Sequence, residues 1–358
     1  MEGGLGWLML YTRVCGLSWI LVYLALSLVL GLMTHITLHL MIVGLMICLV
    51  SYFRLPPPNP TIVRQVLGTD PAPGLPDSAV DWLIAHRAAC LDAPENSIEA
   101  LRLAAKNGAK IIEFDVSFTS CMSPVVFHDD TVDRVTQATG HISSHTHSNL
   151  KKLNLATKHP LGSSFEFSGI PDLEEFVAEC MKLNMKMIID LKTYEVPEET
   201  ISVILNLYKK FPGMKSCTMV TSFFPHLLYQ LRRKDPEIVC SLSYRPHFFA
   251  FSTYEGTNVS MKPRFSGFML HTANLVDILF PWFLENFIWF FVGLSAVLVH
   301  KAVVTHQYVS DWRRKGVRVM AWTVNDPLEK AFLIHTVGVQ CLTDTLEKVK
   351  PDQWVLKD

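Results

Sequence analysis

The sequence contains little charge and almost no net charge. Only 18% of its 358 residues are Asp, Glu, Lys or Arg, and 32 basic residues nearly balance 33 acidic ones. Hydrophobic residues make up 49% of the chain, which excludes a disordered protein. A basic surface large enough to bind nucleic acid would need an excess of Lys and Arg, so we expect no nucleic-acid partner.

Closely spaced cysteine pairs are also absent. None of the eight cysteines forms a CxxC motif, and eight in a chain of this length do not make a disulfide scaffold. We therefore expect isolated buried thiols, and the cysteine count leaves the redox compartment open.

Charged residues are entirely missing from residues 14–53. Because a helix needs about 20 apolar residues to cross a bilayer, this run predicts two transmembrane helices, near 14–32 and 36–53. It is too long for a signal peptide, and the alternative is a buried soluble hairpin. Residues 1–54 are thus predicted to be a membrane region, followed by a Pro-rich linker over 55–80.

A second apolar stretch covers residues 265–299. It contains Asp277 and Glu285, and its longest charge-free part, 286–299, is short for a membrane span. Its many aromatic residues favour a helix that lies at the lipid interface. The alternative is an apolar insert packed on the domain. Crossing the bilayer here would separate the polar motifs before and after the stretch.

Short apolar runs alternate with amphipathic segments after residue 81, a pattern typical of α/β folds. The predicted strands are 82–87, 110–118, 124–128, 186–192, 218–223, 238–244, 295–304, 317–324 and 339–344. The predicted helices are 97–107, 171–184, 198–211, 225–234, 306–315 and 327–337. Asn96 is predicted to cap the first of these helices.

Nine strands are one too many for an eight-stranded (β/α)8 barrel, which otherwise fits residues 81–350 with an insert at 265–299. The connection between 118 and 124 is too short for a parallel crossover. We therefore expect 124–128 to form a hairpin or an irregular extension beside 110–118.

Polar side chains follow several of the predicted strands, at the end where barrel active sites lie. Glu113 and Asp115 are two residues apart on one strand and face the same side. A divalent cation, Mg²⁺ or Ca²⁺, would relieve their repulsion, with Asp190 as third ligand. The alternative is a buried ion cluster with Lys192 or Arg87.

His86 and His128 at strand ends suit general acid and base catalysis near neutral pH. Arg87 and Lys192 suit phosphate binding. Together with a cation, these groups indicate phosphoester chemistry.

The order of the motifs is similar to that of the glycerophosphodiester phosphodiesterase family. The motifs are WLIAHR at 82–87, APENS at 93–97, EFDV at 113–116, PVVFHD at 124–129, TVDR at 131–134, DLK at 190–192, WTVN at 322–325 and TD at 343–344. They span the chain outside the membrane region. With its apolar segments, the sequence resembles the membrane-anchored branch described as glycerophosphoinositol phosphodiesterase.

The resemblance implies a TIM barrel of the phospholipase-C-like type that binds one divalent cation. It implies Glu113, Asp115 and Asp190 as metal ligands, His86 and His128 as the acid–base pair, and Arg87 and Lys192 as phosphate contacts. Glu95 would lie beside the metal or order Arg87, and Trp322 and Asn325 would lie on the rim. In the family, the glycerol 2-hydroxyl attacks phosphorus and water opens the cyclic phosphate.

Two departures from the family pattern stand out. Ala88 and Ala89 follow the His-Arg pair where the family usually has Gly, which would allow a positive φ or a close backbone approach. Residues 120–123 replace a common Asp-Gly turn. These changes remove no titrating group.

The expected function is metal-dependent hydrolysis of a glycerophosphodiester, of the glycerophosphoinositol or lysophospholipid type. The products would be an alcohol and glycerol phosphate or lysophosphatidic acid. The alternative is a catalytically silent, membrane-anchored barrel that binds protein partners. The sequon at Asn258, if glycosylated, would place the barrel in a lumen or outside the cell.

Overall fold

The structure, a computed structural model, describes residues 19, 22, 36–70, 82–192, 197–254 and 261–346. The predicted helix over 14–32, the sequon at Asn258 and the last four residues of the predicted barrel domain therefore lie outside the described residues, apart from helical Trp19 and Val22.

The described residues form a nine-stranded sheet. Its strands are β1 (Leu83–Ala85), β2 (Ile111–Phe118), β3 (Pro124–Val126), β4 (Lys186–Leu191), β5 (Thr218–Ser222), β6 (Val239–Tyr244), β7 (Ala296–His300), β8 (Arg318–Trp322) and β9 (Gln340–Thr343). All nine lie within or beside the predicted runs. Each parallel strand is buried along most of its length, as expected when helices cover the outside of a closed sheet.

Eight of these strands are parallel and close into a barrel, because β1 pairs with both β9 and β2. The ninth, β3, runs antiparallel to β2, with Val116 opposite Val126. The predicted barrel and the predicted hairpin at its extra strand are both confirmed. The hairpin leads into a segment with its own small apolar core, which includes Phe127, Leu150 and Ile170.

Helices connect the parallel strands on the outside of the barrel, and others precede β1. The helices are α1 (Ile36–Phe53), α2 (Pro60–Leu67), α3 (Ile98–Lys106), α4 (His147–Leu150), α5 (Leu173–Lys182), α6 (Pro197–Lys210), α7 (Pro225–Lys234), α8 (Gly267–Phe283), α9 (Trp289–Val292), α10 (His306–Arg314) and α11 (Pro327–Ala331). The helix cap predicted at Asn96 is wrong. Ser97 is the cap, and its Oγ accepts a hydrogen bond from the Ala100 N–H at 3.0 Å.

Helix α2 lies inside the Pro-rich segment that the sequence indicates as a linker. Its Val66 and Leu67 are buried against the apolar residues at the amino ends of the strands, such as Ile84 and Met320. The Arg318 guanidinium donates to the Leu67 and Gly68 carbonyls. Pro60 at the first turn suits a helix start. The segment therefore closes the amino end of the barrel.

The second apolar stretch forms one continuous helix, Gly267–Val292, in which a π-helical turn at Leu284–Ile288 joins α8 to α9. By length and composition its 26 residues are enough to cross a membrane. However, the helix connects β6 to β7, two hydrogen-bonded neighbours, and its Leu284 and Val292 are buried in the barrel core. It packs on the barrel, as the alternative of an apolar insert has it, and leaves an outer apolar face exposed.

Candidate active site

Three carboxylates meet inside the carboxyl end of the barrel. Glu113 and Asp115 lie on β2, and Asp190 on β4 is the register partner of Asp115. All three are buried, and each offers an oxygen within 4.8 Å of the others. Strand alternation therefore places the predicted ligands together.

The electrostatics of this cluster are those of an unneutralised acidic site. Burial, together with the charge of Asp115, raises the pKa of Glu113 to about 8. Burial also raises the pKa of Asp190. Burial acts in the same direction on Asp115, but Lys192, His128, Arg87 and the Asn96 hydrogen bond together outweigh it and hold the pKa of Asp115 far below its usual range. Two of the carboxyl groups thus resist ionisation in this arrangement.

The residues present fit a divalent cation. The buried Oδ1 of Asp190 accepts no hydrogen bond from any described residue, and Asp115 Oδ1 is 3.0 Å from the Lys192 ammonium. The donor set is all oxygen, which suits Mg²⁺ or Ca²⁺. Lys192 also lies 2.5 Å from Asp190 Oδ2, so part of the predicted ion cluster is present as well.

The two predicted histidines lie on the same rim, and each is oriented by an aspartate. His86 Nδ1 is 2.6 Å from Asp344 Oδ1, and His128 Nδ1 is 2.6 Å from Asp129 Oδ1. With Nδ1 donating to the carboxylate, Nε2 of each ring is left for substrate. His86 Nε2 is 4.0 Å from Glu113 Oε2.

The surroundings push the two histidines in opposite directions. Burial lowers the pKa of His86, but the hydrogen bond to Asp344 and the charge of Glu113 outweigh it and raise the pKa above the ordinary value. Burial lowers the pKa of His128 to about 4, helped by the charges of Arg87 and Lys192. These directions favour His86 as the group that keeps a proton and His128 as the group that accepts one.

Arg87 and Glu95 form a charged layer above the carboxylates. The backbone N–H of Arg87 donates to Glu113 Oε2 at 2.8 Å. The guanidinium Nη1 of Arg87 is 3.5 Å from Glu95 Oε1. Glu95 in turn accepts two hydrogen bonds from Arg134, at 2.6 and 2.8 Å. Glu95 thus contacts Arg87 weakly and binds Arg134 closely, and its role at the site stays a prediction.

Ala88 and Ala89 occupy backbone conformations that glycine adopts more easily. Both have φ of 66°, and Arg87 before them has φ of 48°. Both alanines are buried. The turn nevertheless directs the backbone N–H of Arg87 onto Glu113, with alanine at two left-handed positions that cost it more than glycine.

The predicted rim residues act partly through other groups. Asn325 Nδ2 donates to Asp344 Oδ2 at 2.8 Å, and its Oδ1 accepts the Asp344 N–H at 2.9 Å. Trp322 Nε1 donates to the Leu298 carbonyl at 3.2 Å. Asn325 thus positions the aspartate that positions His86.

The sequence analysis assigned no role in the site to Asp129, Arg134 and Asp344, and it assigned Asn96 only a helix cap. Asn96 has φ of 59° and donates from Nδ2 to Asp115 Oδ2 at 2.9 Å. Arg134 bridges Glu95 and Asp129. Each belongs to one of the motifs that carry the family resemblance, which was the available signal.

Comparisons with known proteins find relatives over most of the barrel. The model of the glycerophosphoryl diester phosphodiesterase family matches residues 86–348. Glycerophosphodiester phosphodiesterase 1 of Homo sapiens is 37% identical over 264 residues, which cover 74% of this chain and 77% of that protein. Glycerophosphoinositol inositolphosphodiesterase of Homo sapiens is 30% identical over 31% of this chain and 24% of its own length.

Solved structures show the same fold. A phosphodiesterase of Oleispira antarctica, solved in complex with sn-glycerol-3-phosphate, superposes with a TM-score of 0.56 at 24% identity over 73% of this chain and 92% of that one. A related structure from Silicibacter pomeroyi gives a TM-score of 0.57 at 20% identity, over 79% of this chain and 93% of that one.

Proposed function

This chain belongs to the glycerophosphoryl diester phosphodiesterase family, and from that premise we propose that it uses one divalent cation to hydrolyse glycerophosphodiesters. It is a phosphoric diester hydrolase. The observation that carries the cation proposal is the buried convergence of Glu113, Asp115 and Asp190 between two histidines.

In this proposal Glu113, Asp115 and Asp190 hold the cation, Mg²⁺ or Ca²⁺. When bound, the cation would polarise a phosphoryl oxygen and offset developing negative charge. Arg87 and Lys192 bind the remaining phosphate oxygens. Since Lys192 already contacts Asp115 and Asp190, it couples the phosphate to the carboxylates.

The histidines move protons at opposite ends of the reacting phosphodiester. His128, held neutral, accepts the proton of the attacking hydroxyl. His86, held protonated by Asp344, gives a proton to the departing alcohol oxygen. This division follows from the opposite pKa shifts of the two rings.

The substrates are proposed to be of the glycerophosphoinositol or lysophospholipid type, with glycerol phosphate or lysophosphatidic acid as a product. The name of the human glycerophosphoinositol inositolphosphodiesterase supports the first type, and the exposed apolar residues of α8 support the second. The products follow from cleavage on the alcohol side of phosphorus.

A membrane location is part of the proposal. The described part of α1 is almost fully exposed and apolar, and α8 exposes Phe268 at 81% and Ile278 at 73%. A surface of this kind, larger than single scattered residues, suits contact with lipid. We propose that the protein is integral to a plasma membrane or endomembrane, with its barrel in a lumen or outside the cell. Loss of a glycosidase-sensitive mobility shift in Asn258→Gln would support that side of the membrane.

The silent-barrel alternative rests on Ala88 and Ala89. Their positive φ angles show that the backbone here does require glycine-like geometry. Retention of both histidines, all three carboxylates and the Arg87 contact with Glu113 favours the enzyme.

The test is product release by the full-length protein in detergent. Glycerophosphoinositol and a lysophospholipid are offered separately, with Mg²⁺, with Ca²⁺ and with a chelator, and Glu113→Ala and His128→Ala serve as controls. Metal-dependent release of a glycerol phosphate, lost in both variants, supports the proposal. Turnover that persists in the chelator, or in Glu113→Ala, contradicts it.

A further inference from the structure

A row of four phenylalanine rings connects the catalytic rim with the exposed face of α8. We define this aromatic row as Phe223, Phe248, Phe249 and Phe280. It begins beside a phosphate-binding group, because the Lys192 ammonium is 5.7 Å from the centre of the Phe223 ring.

The rings follow one another at contact distance. Phe223 and Phe248 are stacked, with centroids 4.5 Å apart and planes 11° apart. Phe249 lies 5.3 Å from Phe248 and 5.2 Å from Phe280. All four residues are partly exposed, and the Arg245 and Arg264 guanidinium groups lie 5.4 and 5.6 Å from the centre of the Phe248 ring.

The segment that carries the two middle rings is held firmly. Asp277 on α8 accepts hydrogen bonds from the N–H groups of Phe249 and Ala250, at 3.0 and 2.8 Å. The buried Arg245 guanidinium donates to the Phe251 carbonyl at 2.7 Å. Asp277 and Arg245 thus hold the backbone of the segment that carries Phe248 and Phe249.

The outer end of the row joins the exposed surface of α8. Phe280 lies on α8 one helical turn from Val276 and from Phe283, which are both exposed. Packing alone would explain rings that are covered, but it does not explain four partly exposed rings that lead from a phosphate-binding lysine to an exposed apolar helix.

We propose that the aromatic row contacts the acyl chain of a lysophospholipid whose phosphate lies at Lys192. This inference rests on the proposed function and names its substrate class. The chain follows the row outward, toward the bilayer that α8 faces, while the phosphodiester stays at the carboxylates. The row therefore determines the preference between acylated and water-soluble substrates.

The first test compares two substrates with the same headgroup, glycerophosphoinositol and its singly acylated form, with the full-length protein in detergent. The measured quantity is the ratio of kcat/KM for the acylated substrate to that for the other. We expect this ratio to fall about tenfold in Phe249→Ala and in Phe280→Ala, and less in Phe249→Leu, which keeps apolar bulk. Phe332→Ala, an exposed phenylalanine outside the row, is the matched control and should leave the ratio unchanged. An unchanged ratio in active Phe249→Ala and Phe280→Ala would overturn the proposal.

The second test does not depend on turnover. A lysophospholipid with a photoreactive group at the end of its chain is irradiated with the wild-type protein, and labelled peptides are identified by mass spectrometry. Label on the peptides that contain Phe248, Phe249 or Phe280 supports the proposed contact between the acyl chain and the aromatic row. Label confined to other surfaces overturns it. If the wild type hydrolyses neither substrate, the proposed function is contradicted. The labelling experiment would still test whether the acyl chain contacts the aromatic row.

Discussion

The barrel interior is apolar at the amino ends of its strands and carries buried charged groups at their carboxyl ends. At the amino end, apolar side chains such as Ile84, Met219 and Leu342 fill the interior, and Val66 and Leu67 of α2 close it. At the carboxyl end, Glu113 and Asp190 are buried with raised pKa values. One end therefore stabilises the fold, and the other tolerates unfavourable charge because the chemistry requires it.

The largest expected effect comes from replacing a carboxylate of the candidate active site by a neutral amide. Glu113→Gln should lower kcat by about 1000-fold, because it removes a charged ligand at the phosphodiester site. Without metal, the melting temperature should not fall, since burial disfavours the Glu113 charge.

The pH dependence of that stability has a definite sign. The folded state raises the Glu113 pKa from 4.5 to about 8 and so binds the proton more tightly than the unfolded state. This contribution is complete below pH 4.5 and is lost as the pH rises through 8. The melting temperature of Glu113→Gln relative to wild type should therefore increase over that interval in chelator. A kcat within tenfold of wild type, or a relative melting temperature that decreases, would contradict this prediction.

A second substitution, at Asp344, tests a residue that positions His86 and is not one of the proposed metal ligands. Asp344→Asn should lower kcat by about 100-fold with little change in KM, because His86 loses the group that orients it and favours its protonated form. The basic limb of the pH–rate profile should move to lower pH. An unchanged profile would mean that Asp344 has only a structural role.

At the opposite end of the barrel, Leu67→Ala should affect stability alone. The side chain is buried among the amino-end residues, so the free energy of unfolding should fall by about 3 kcal/mol. The measurement is urea denaturation of the full chain in detergent, with exposed Leu328→Ala as control. A matching loss of kcat under native conditions would show that the two ends are not independent.

The smallest effect is expected at the strained turn. In Ala88→Gly/Ala89→Gly, relief at positive φ is offset by greater freedom of the unfolded chain and by two lost buried methyl groups, so stability should change by less than about 1 kcal/mol. The kcat should change by less than threefold. A gain above tenfold, in steady-state assays, would instead favour the silent-barrel alternative for the natural sequence.

Much of the fold follows from local sequence patterns. The alternation of nine apolar runs with amphipathic segments, and the short connection between β2 and β3, were enough to predict a barrel with one extra hairpin strand. Helix α2 was missed because three prolines precede it in a segment with the composition of a linker. The length of Gly267–Val292 was missed because Asp277 interrupts the apolar run, although its carboxylate binds backbone N–H groups.

Some contacts of the candidate site also follow from local sequence patterns, and others do not. Glu113 and Asp115 share a strand face, so their proximity is a local property. The contact between His86 and Asp344 joins residues 258 positions apart, and no local pattern encodes it. Asn96 illustrates a competition between roles, since its amide binds Asp115 and the neighbouring Ser97 caps the helix instead.

The central claim is that the carboxyl end of this barrel holds one divalent cation between Glu113, Asp115 and Asp190. The most direct measurement is equilibrium binding of Mn²⁺, a paramagnetic substitute for Mg²⁺ or Ca²⁺, followed by electron paramagnetic resonance on the full-length protein and on Asp190→Asn. Exposed Asp326→Asn is the matched control. One Mn²⁺ per chain in the wild type and the control, with affinity at least tenfold weaker in Asp190→Asn, is the predicted result. Equal affinity in the wild type and Asp190→Asn, or no binding to the wild type, would contradict it.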